Sequence, residues 1–118
     1  HEVSGGQARR LAIIRALMMQ PRILVADEPT AGLDVSVQGE LLNLLQDIRR
    51  SEGITLIVVS HNLPVVRLIA DHVAVMRAGK VVETGRASQV FDRPTTAYCR
   101  DLVGSWPSLG QAGGGGGG

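Results

Sequence analysis

The run Ile23-Leu24-Val25-Ala26 leads straight into Asp27-Glu28 and is closed by Pro29. A short continuous apolar run of this kind suits a strand buried on both faces of a parallel sheet. Its last residues then emerge at the carboxyl edge, where open α/β sheets bind ligands. Adjacent carboxylates repel, and the local sequence gives neither an obvious partner, so a cation such as a metal ion is expected to balance them. The same three residues also suit a solvated turn. The flanking segments decide between the two readings.

Downstream, Asp34 is placed to cap a helix. From about Val35 to Arg50, Leu41, Leu42, Leu44, Leu45 and Ile48 form one apolar face. Arg49 and Arg50 suit the negative end of that helix, and Gly53 marks its exit. Ile54 to Val59 is a second buried strand, rich in β-branched residues. Strand, helix and strand with short links predict a βαβ unit with parallel strands. Both strands then end on the same edge, which brings Ser60-His61 beside Asp27-Glu28.

Upstream, Ser4 and Gln7 form a capping-box pair that opens a helix ending before Pro21. Gly5 and Gly6 lower the helix propensity of its first turn. Close approach of an anion to the backbone N–H groups there would account for them. Beyond the second strand, Pro64 is tolerated in the first turn of a short helix. Val73–Met76 and Lys80–Glu83 flank Arg77-Ala78-Gly79 as a hairpin. Short helices are expected at Ala87–Phe91 and Thr95–Val103. From Gly104 through Trp106-Pro107 to the six terminal glycines the chain is expected to be disordered.

Composition removes several function classes. The 118 residues carry a net charge of +1 with mixed signs, and aromatic content is 3%, so no nucleic-acid partner is implied. One cysteine, Cys99, cannot form an intrachain disulfide. No apolar stretch approaches the roughly 18 residues that span a bilayer, so membrane contact would come through a partner.

Val3-Ser4-Gly5-Gly6-Gln7 resembles the LSGGQ signature of ATP-binding cassette (ABC) proteins. Ile23–Glu28 resembles their Walker B strand, Ala31-Gly32-Leu33-Asp34 their D-loop, and Ser60-His61 their switch histidine. Order and spacing match over about residues 1–86. Asp34-Val35-Ser36-Val37-Gln38 is similar to the oligopeptide/dipeptide and nickel importer branch, and Phe91-Asp92-Arg93-Pro94 with Tyr98 matches that branch's tail in part. Ala8-Arg9-Arg10 stands where R-Q-R is frequent, and Asn62 replaces a common aspartate. A G-x-x-x-x-G-K-S/T phosphate loop is absent from the sequence, as are the glutamine loop and the adenine-stacking aromatic. In the family all three precede the signature, so the expectation is a C-terminal fragment.

The resemblance implies an α/β fold: the C-terminal part of an ABC-type P-loop NTPase domain over residues 1–103, with a parallel βαβ core, a hairpin and short helices, followed by a Gly-rich tail at 104–118. It implies ATP and Mg²⁺ as cofactors. Ser4, Gly5, Gly6 and Gln7 would cap the γ-phosphate of a second cassette's ATP. Asp27 would position Mg²⁺, Glu28 would be the general base, His61 would orient it, and Asp34 would couple the two sites. Expected partners are that second cassette, transmembrane permease subunits and, indirectly, a solute-binding protein, at the cytoplasmic face of the inner membrane. The expected function is ATP hydrolysis that drives di- or oligopeptide import, with the fragment alone inactive. The alternatives are a non-transport ABC ATPase of DNA repair or translation, and an inactive truncated remnant.

Overall fold

The computed structural model describes residues 5–107, which divide after His61 into two units. The first unit runs α1 (Gly5–Leu17), β1 (Ile23–Asp27), α2 (Val35–Glu52) and β2 (Thr55–Val59). β1 and β2 pair in parallel from Ile23 opposite Thr55 to Asp27 opposite Val59, as strand-helix-strand spacing requires. α2 begins on Asp34, whose carboxylate accepts from Val37 N, and ends on Gly53 in the left-handed region at φ 63°. Leu41, Leu42, Leu45 and Ile48 are buried, a helical spacing that presents one face of α2 to the core. Each such side chain contributes about 1.5–3 kcal/mol when fully removed from water.

The expectation that β1 is buried on both faces is not met within the described residues. Leu24 is buried, but Ile23 and Val25 are 56% and 60% exposed, and Ile57 and Val59 on β2 are 46% and 47% exposed. The pleat sends alternate side chains to opposite faces. Ile23, Val25, Ile57 and Val59 therefore share one open apolar face, and Asp27 lies at its carboxyl end. α1 ends earlier than Pro21 alone would demand. Leu17 is its last residue, and the chain turns through Gln20 at φ 52° before the proline.

The second unit runs α3 (Leu63–Ile69), β3 (His72–Arg77), β4 (Lys80–Arg86), α4 (Ala87–Asp92) and α5 (Ala97–Gly104). Asn62 caps α3 through Val65 N at 3.2 Å. β3 and β4 form an antiparallel hairpin whose two-residue turn, Ala78-Gly79, has φ of 51° and 77°. Two consecutive positive values define the tight turn whose twist matches the strands. Ala87, Phe91 and Val103 form the core of this unit, with Leu63, Val66, Val73 and Trp106 packed on it. Buried Glu83 ties the hairpin to α5: its carboxylate accepts from Thr95 N and Thr96 N at 2.9 Å and from Thr96 Oγ1 at 2.7 Å.

Packing of Trp106 corrects the boundary expected at Gly104. Gly104 closes α5, Ser105 N donates back to Asp101 O at 3.0 Å, and order continues to Trp106. The glycine tail lies outside the described residues.

Candidate active site

β1 carries Asp27 and Glu28 to the carboxyl edge, and one further hydrogen bond, Glu28 N to Val59 O at 2.7 Å, extends the ladder past the strand. There the chain breaks away. Glu28 has φ 49°, a left-handed conformation that a residue with a Cβ adopts only at a cost of about 1–3 kcal/mol. That turn directs its carboxylate to the start of the segment after β2. His61 N donates to Oε1 at 2.8 Å, the His61 Nδ1 meets the same oxygen, and Ser60 Oγ donates to Oε2 at 3.4 Å.

These contacts set the charge of the carboxylate. The His61 ring, ahead of the opposing effect of burial, then the His61 N–H and Ser60, hold Glu28 below the ordinary glutamate range. Glu28 is therefore ionised near neutral pH and able to accept a proton. The expectation that the acid pair needs a cation is corrected for Glu28, whose partners come from residues 60 and 61. Asp27 remains exposed at the strand end. The His61 ring is 97% exposed even with Nδ1 engaged, which leaves Nε2 open to solvent.

Gly5, Gly6, Gln7 and Asp34 have local roles of their own in the fold. Asp34 is an N-cap: Val37 N and Ser36 Oγ both donate to Oδ1 at 3.0 Å, and the Val37 bond leads the lowering of its pKa. Gly5, Gly6 and Gln7 form the first turn of α1, and Ser4 lies outside the described residues. The glycines have a reason within the fold itself. A Cβ on Gly6 would stand 2.6 Å from Val37 Cγ1, and one on Gly5 would stand 3.0 Å from Leu33 Cδ2. Close packing of α1 on α2 and its preceding loop thus accounts for Gly6 without an anion.

Two residues escaped the sequence reading. Arg9 Nη1 donates to Pro29 O at 2.5 Å and Nη2 to Ala31 O at 2.6 Å. Gln38 Nε2 donates to Leu33 O at 2.8 Å and Thr30 O at 3.3 Å. The signal available was the loop itself. Residues 28–33 lack regular pairing, and their carbonyls must find donors somewhere.

For a metal, groups of three or more His, Cys, Asp or Glu side chains are absent among the described residues. Mg²⁺ does not need one, because it keeps its waters and is commonly held by one or two carboxylates together with substrate phosphates. An exposed Asp27 carboxylate at a strand end fits that requirement.

A family model described as ABC transporter matches residues 1–31. The chain is 48% identical over 109 residues to the probable D,D-dipeptide transport ATP-binding protein DdpF of Escherichia coli (strain K12), covering 92% of this chain and 35% of that protein. It is 44% identical to the oligopeptide transport ATP-binding protein OppF of the same organism, covering 91% and 32%. Among solved structures it resembles the dimeric, post-hydrolysis form of the ATP-binding cassette MJ0796 bound to ADP and Pi, with TM-score 0.63 and 34% identity over 72% of this chain and 36% of that one. Over nine-tenths of its length the chain is similar to ABC transporter ATP-binding proteins.

Several of its curated relatives are dipeptide and oligopeptide transport ATP-binding proteins. The chain spans about a third of the length of these relatives. The parallel β1–β2 pair with α2, and the hairpin that follows, make it the mixed α/β fold of an ABC cassette.

Proposed function

We propose that this chain supplies the signature, Walker B, D-loop and switch-histidine portion of the ATP-hydrolysing subunit of a peptide importer. The observation that carries the reading is the Glu28–His61 pair, formed by the ends of two parallel strands and held ionised at an open edge. Glu28 accepts the proton of the attacking water. The His61 ring, held at Glu28 through Nδ1, would turn Nε2 toward the γ-phosphate. Asp27 is the residue that would hold Mg²⁺, which when bound neutralises charge on the phosphoryl oxygens. Catalysis of this type is mostly positioning and electrostatics.

On this reading the signature residues Ser4, Gly5, Gly6 and Gln7 would cap the γ-phosphate of a partner cassette's ATP, and Asp34 would couple the two sites. ATP closes the dimer and hydrolysis opens it. Membrane-spanning permeases convert that cycle into peptide import, with this subunit at the cytoplasmic face. Support comes from the transport names of the relatives and from the dimeric, ADP- and Pi-bound state of the solved neighbour. Residues 5–107 contain no helix long and apolar enough to cross a membrane.

The test is Glu28→Gln in the native gene product assembled with its partner cassette. Turnover is expected to fall about 10²–10⁴-fold, the usual contribution of a general base, while ATP-dependent dimerisation persists. Turnover near wild type would remove Glu28 from the role.

A further inference from the structure

The segment from Glu28 to Asp34 links the acid pair to the cap of α2, and side chains from two helices hold it. Arg9, on α1, bonds Pro29 O and Ala31 O, with Glu28 O at 3.5 Å from the same Nη1. Gln38, on α2, bonds Thr30 O and Leu33 O. Pro29 and Thr30 are buried, which limits the access of their carbonyls to water, whereas Ala31 is exposed. Bonds from a guanidinium to carbonyl oxygens are charge-assisted and fix direction as well as distance.

The consequence falls on Glu28. Its left-handed backbone persists only while the surrounding structure over-determines it. On its N-terminal side the restraint is the bond to Val59 O. On its C-terminal side the restraint is the Arg9 fork on the next peptides. Without that fork the peptide after Glu28 can rotate toward an ordinary φ, and the carboxylate leaves His61.

We propose that Arg9 is a positioning residue for Glu28: by gripping the carbonyls of Pro29 and Ala31 it keeps the carboxylate on His61, and so connects the signature helix to the base of its own cassette. The proposal rests on Glu28 being the general base. It assigns to Arg9 a larger role than to Arg10, whose Nη2 meets Glu40 at 2.7 Å on the exposed side of the same helix.

The experiment compares Arg9→Ala, Arg9→Lys and Arg10→Ala in the native gene product with its partner cassette. Arg9→Ala is expected to lower kcat about 10–100-fold, the penalty for roughly 1 Å of misplacement, with KM for ATP within about twofold. Arg9→Lys, with one charged donor and no fork, should fall between, and Arg10→Ala should match wild type. In a Glu28→Gln background Arg9→Ala should cause no further loss, because it acts through Glu28. In the nucleotide-free protein, the His61 Nδ1 resonance should shift in Arg9→Ala and stay in Arg10→Ala. A kcat for Arg9→Ala and Arg9→Lys within twofold of wild type, with Glu28→Gln inactive, overturns the proposal while leaving the base in place. An active Glu28→Gln overturns the base assignment and the proposal with it. Should Arg9→Ala not fold, Arg9→Lys decides by the same kcat and resonance criteria.

Discussion

Gly6→Ala tests whether the glycines of the first turn serve packing. The new Cβ would stand 2.6 Å from Val37 Cγ1. Carbon pairs prefer 3.5–4.0 Å, so the overlap is about 1 Å. Val37 cannot swing aside cheaply, because a β-branched side chain in a helix has one strongly preferred χ1. Relief must come from separation of α1 and α2, and overpacking of this kind costs about 1–3 kcal/mol. Against it stands the helix-propensity gain of alanine over glycine, at most about 1 kcal/mol. The net expectation is a loss of about 1 kcal/mol, or about 4–8 °C in Tm for a domain of this size. Val37→Ala removes the obstruction. In that background Gly6→Ala should become stabilising by up to about 1 kcal/mol, and the cycle should return a coupling of about 1–3 kcal/mol. Gly5→Ala is the control, since Leu33 Cδ2 at 3.0 Å is the end of a flexible chain and can yield. Urea unfolding followed by far-UV circular dichroism on the four variants gives the numbers. Equal stabilisation by Gly6→Ala in both backgrounds would refute the packing argument and return Gly6 to the backbone–anion explanation alone.

Glu83 gives a pH-dependent signature. Its pKa is lowered from 4.5 to about 2, chiefly by the Thr96 hydroxyl and then Thr95 N–H, against the opposing effect of burial. A depressed carboxylate stabilises fully above its unfolded pKa, and the contribution is lost as pH falls through the folded value. The wild-type Tm should therefore drop between about pH 4.5 and 2 more steeply than that of Glu83→Gln, and parallel curves would count against the α5 tether. Ala78 has φ 51° in a two-residue hairpin turn, where an Asn before Gly79 is favoured. Ala78→Asn should stabilise by about 0.5–1 kcal/mol in the same denaturation assay, and a loss would contradict the turn geometry.

Local periodicity and cap chemistry made most of this fold legible. Leu41, Leu42, Leu45 and Ile48 at helical spacing, Asp34 before them and Gly53 after them located α2. The short link from α2 to Ile54 made β1 and β2 parallel, and that topology alone put His61 beside Glu28. What escaped the sequence were directions that depend on the backbone of one residue or on a long side chain. A strand ending in two acids gives no sign that the second will stand at φ 49° and find His61 N–H. Arg9 reads as a solvated helix residue because its partners are carbonyls about 20 positions away, which have no side-chain identity to match. The open face of Ile23, Val25, Ile57 and Val59 was misread for a related reason. Continuous apolar composition reports what a strand can bury, whereas its surroundings decide which face is covered.

Three of the contacts that join α1 to the rest of its unit can be ranked by magnitude. Arg10–Glu40 lies on the surface, with side chains 38% and 61% exposed, and a pair of that kind contributes about 0–1 kcal/mol. The Gly6–Val37 approach sets how closely α1 can lie on α2, but it is a permissive contact: it excludes larger residues without pulling the helices together. Arg9 attracts. Its two short bonds reach carbonyls of a partly buried loop, and hydrogen bonds to a charged group are each worth about 1.5–3 kcal/mol. A helix held this way cannot shift at its amino end without carrying the 28–33 loop or breaking the fork. Breaking the fork would leave the carbonyl of buried Pro29 in search of a donor, so the cheaper movement is a joint one. Any ligand that displaces the Gly5–Gln7 turn therefore acts on the backbone of Glu28, and by linkage the Glu28–His61 arrangement acts on affinity at that turn by the same factor.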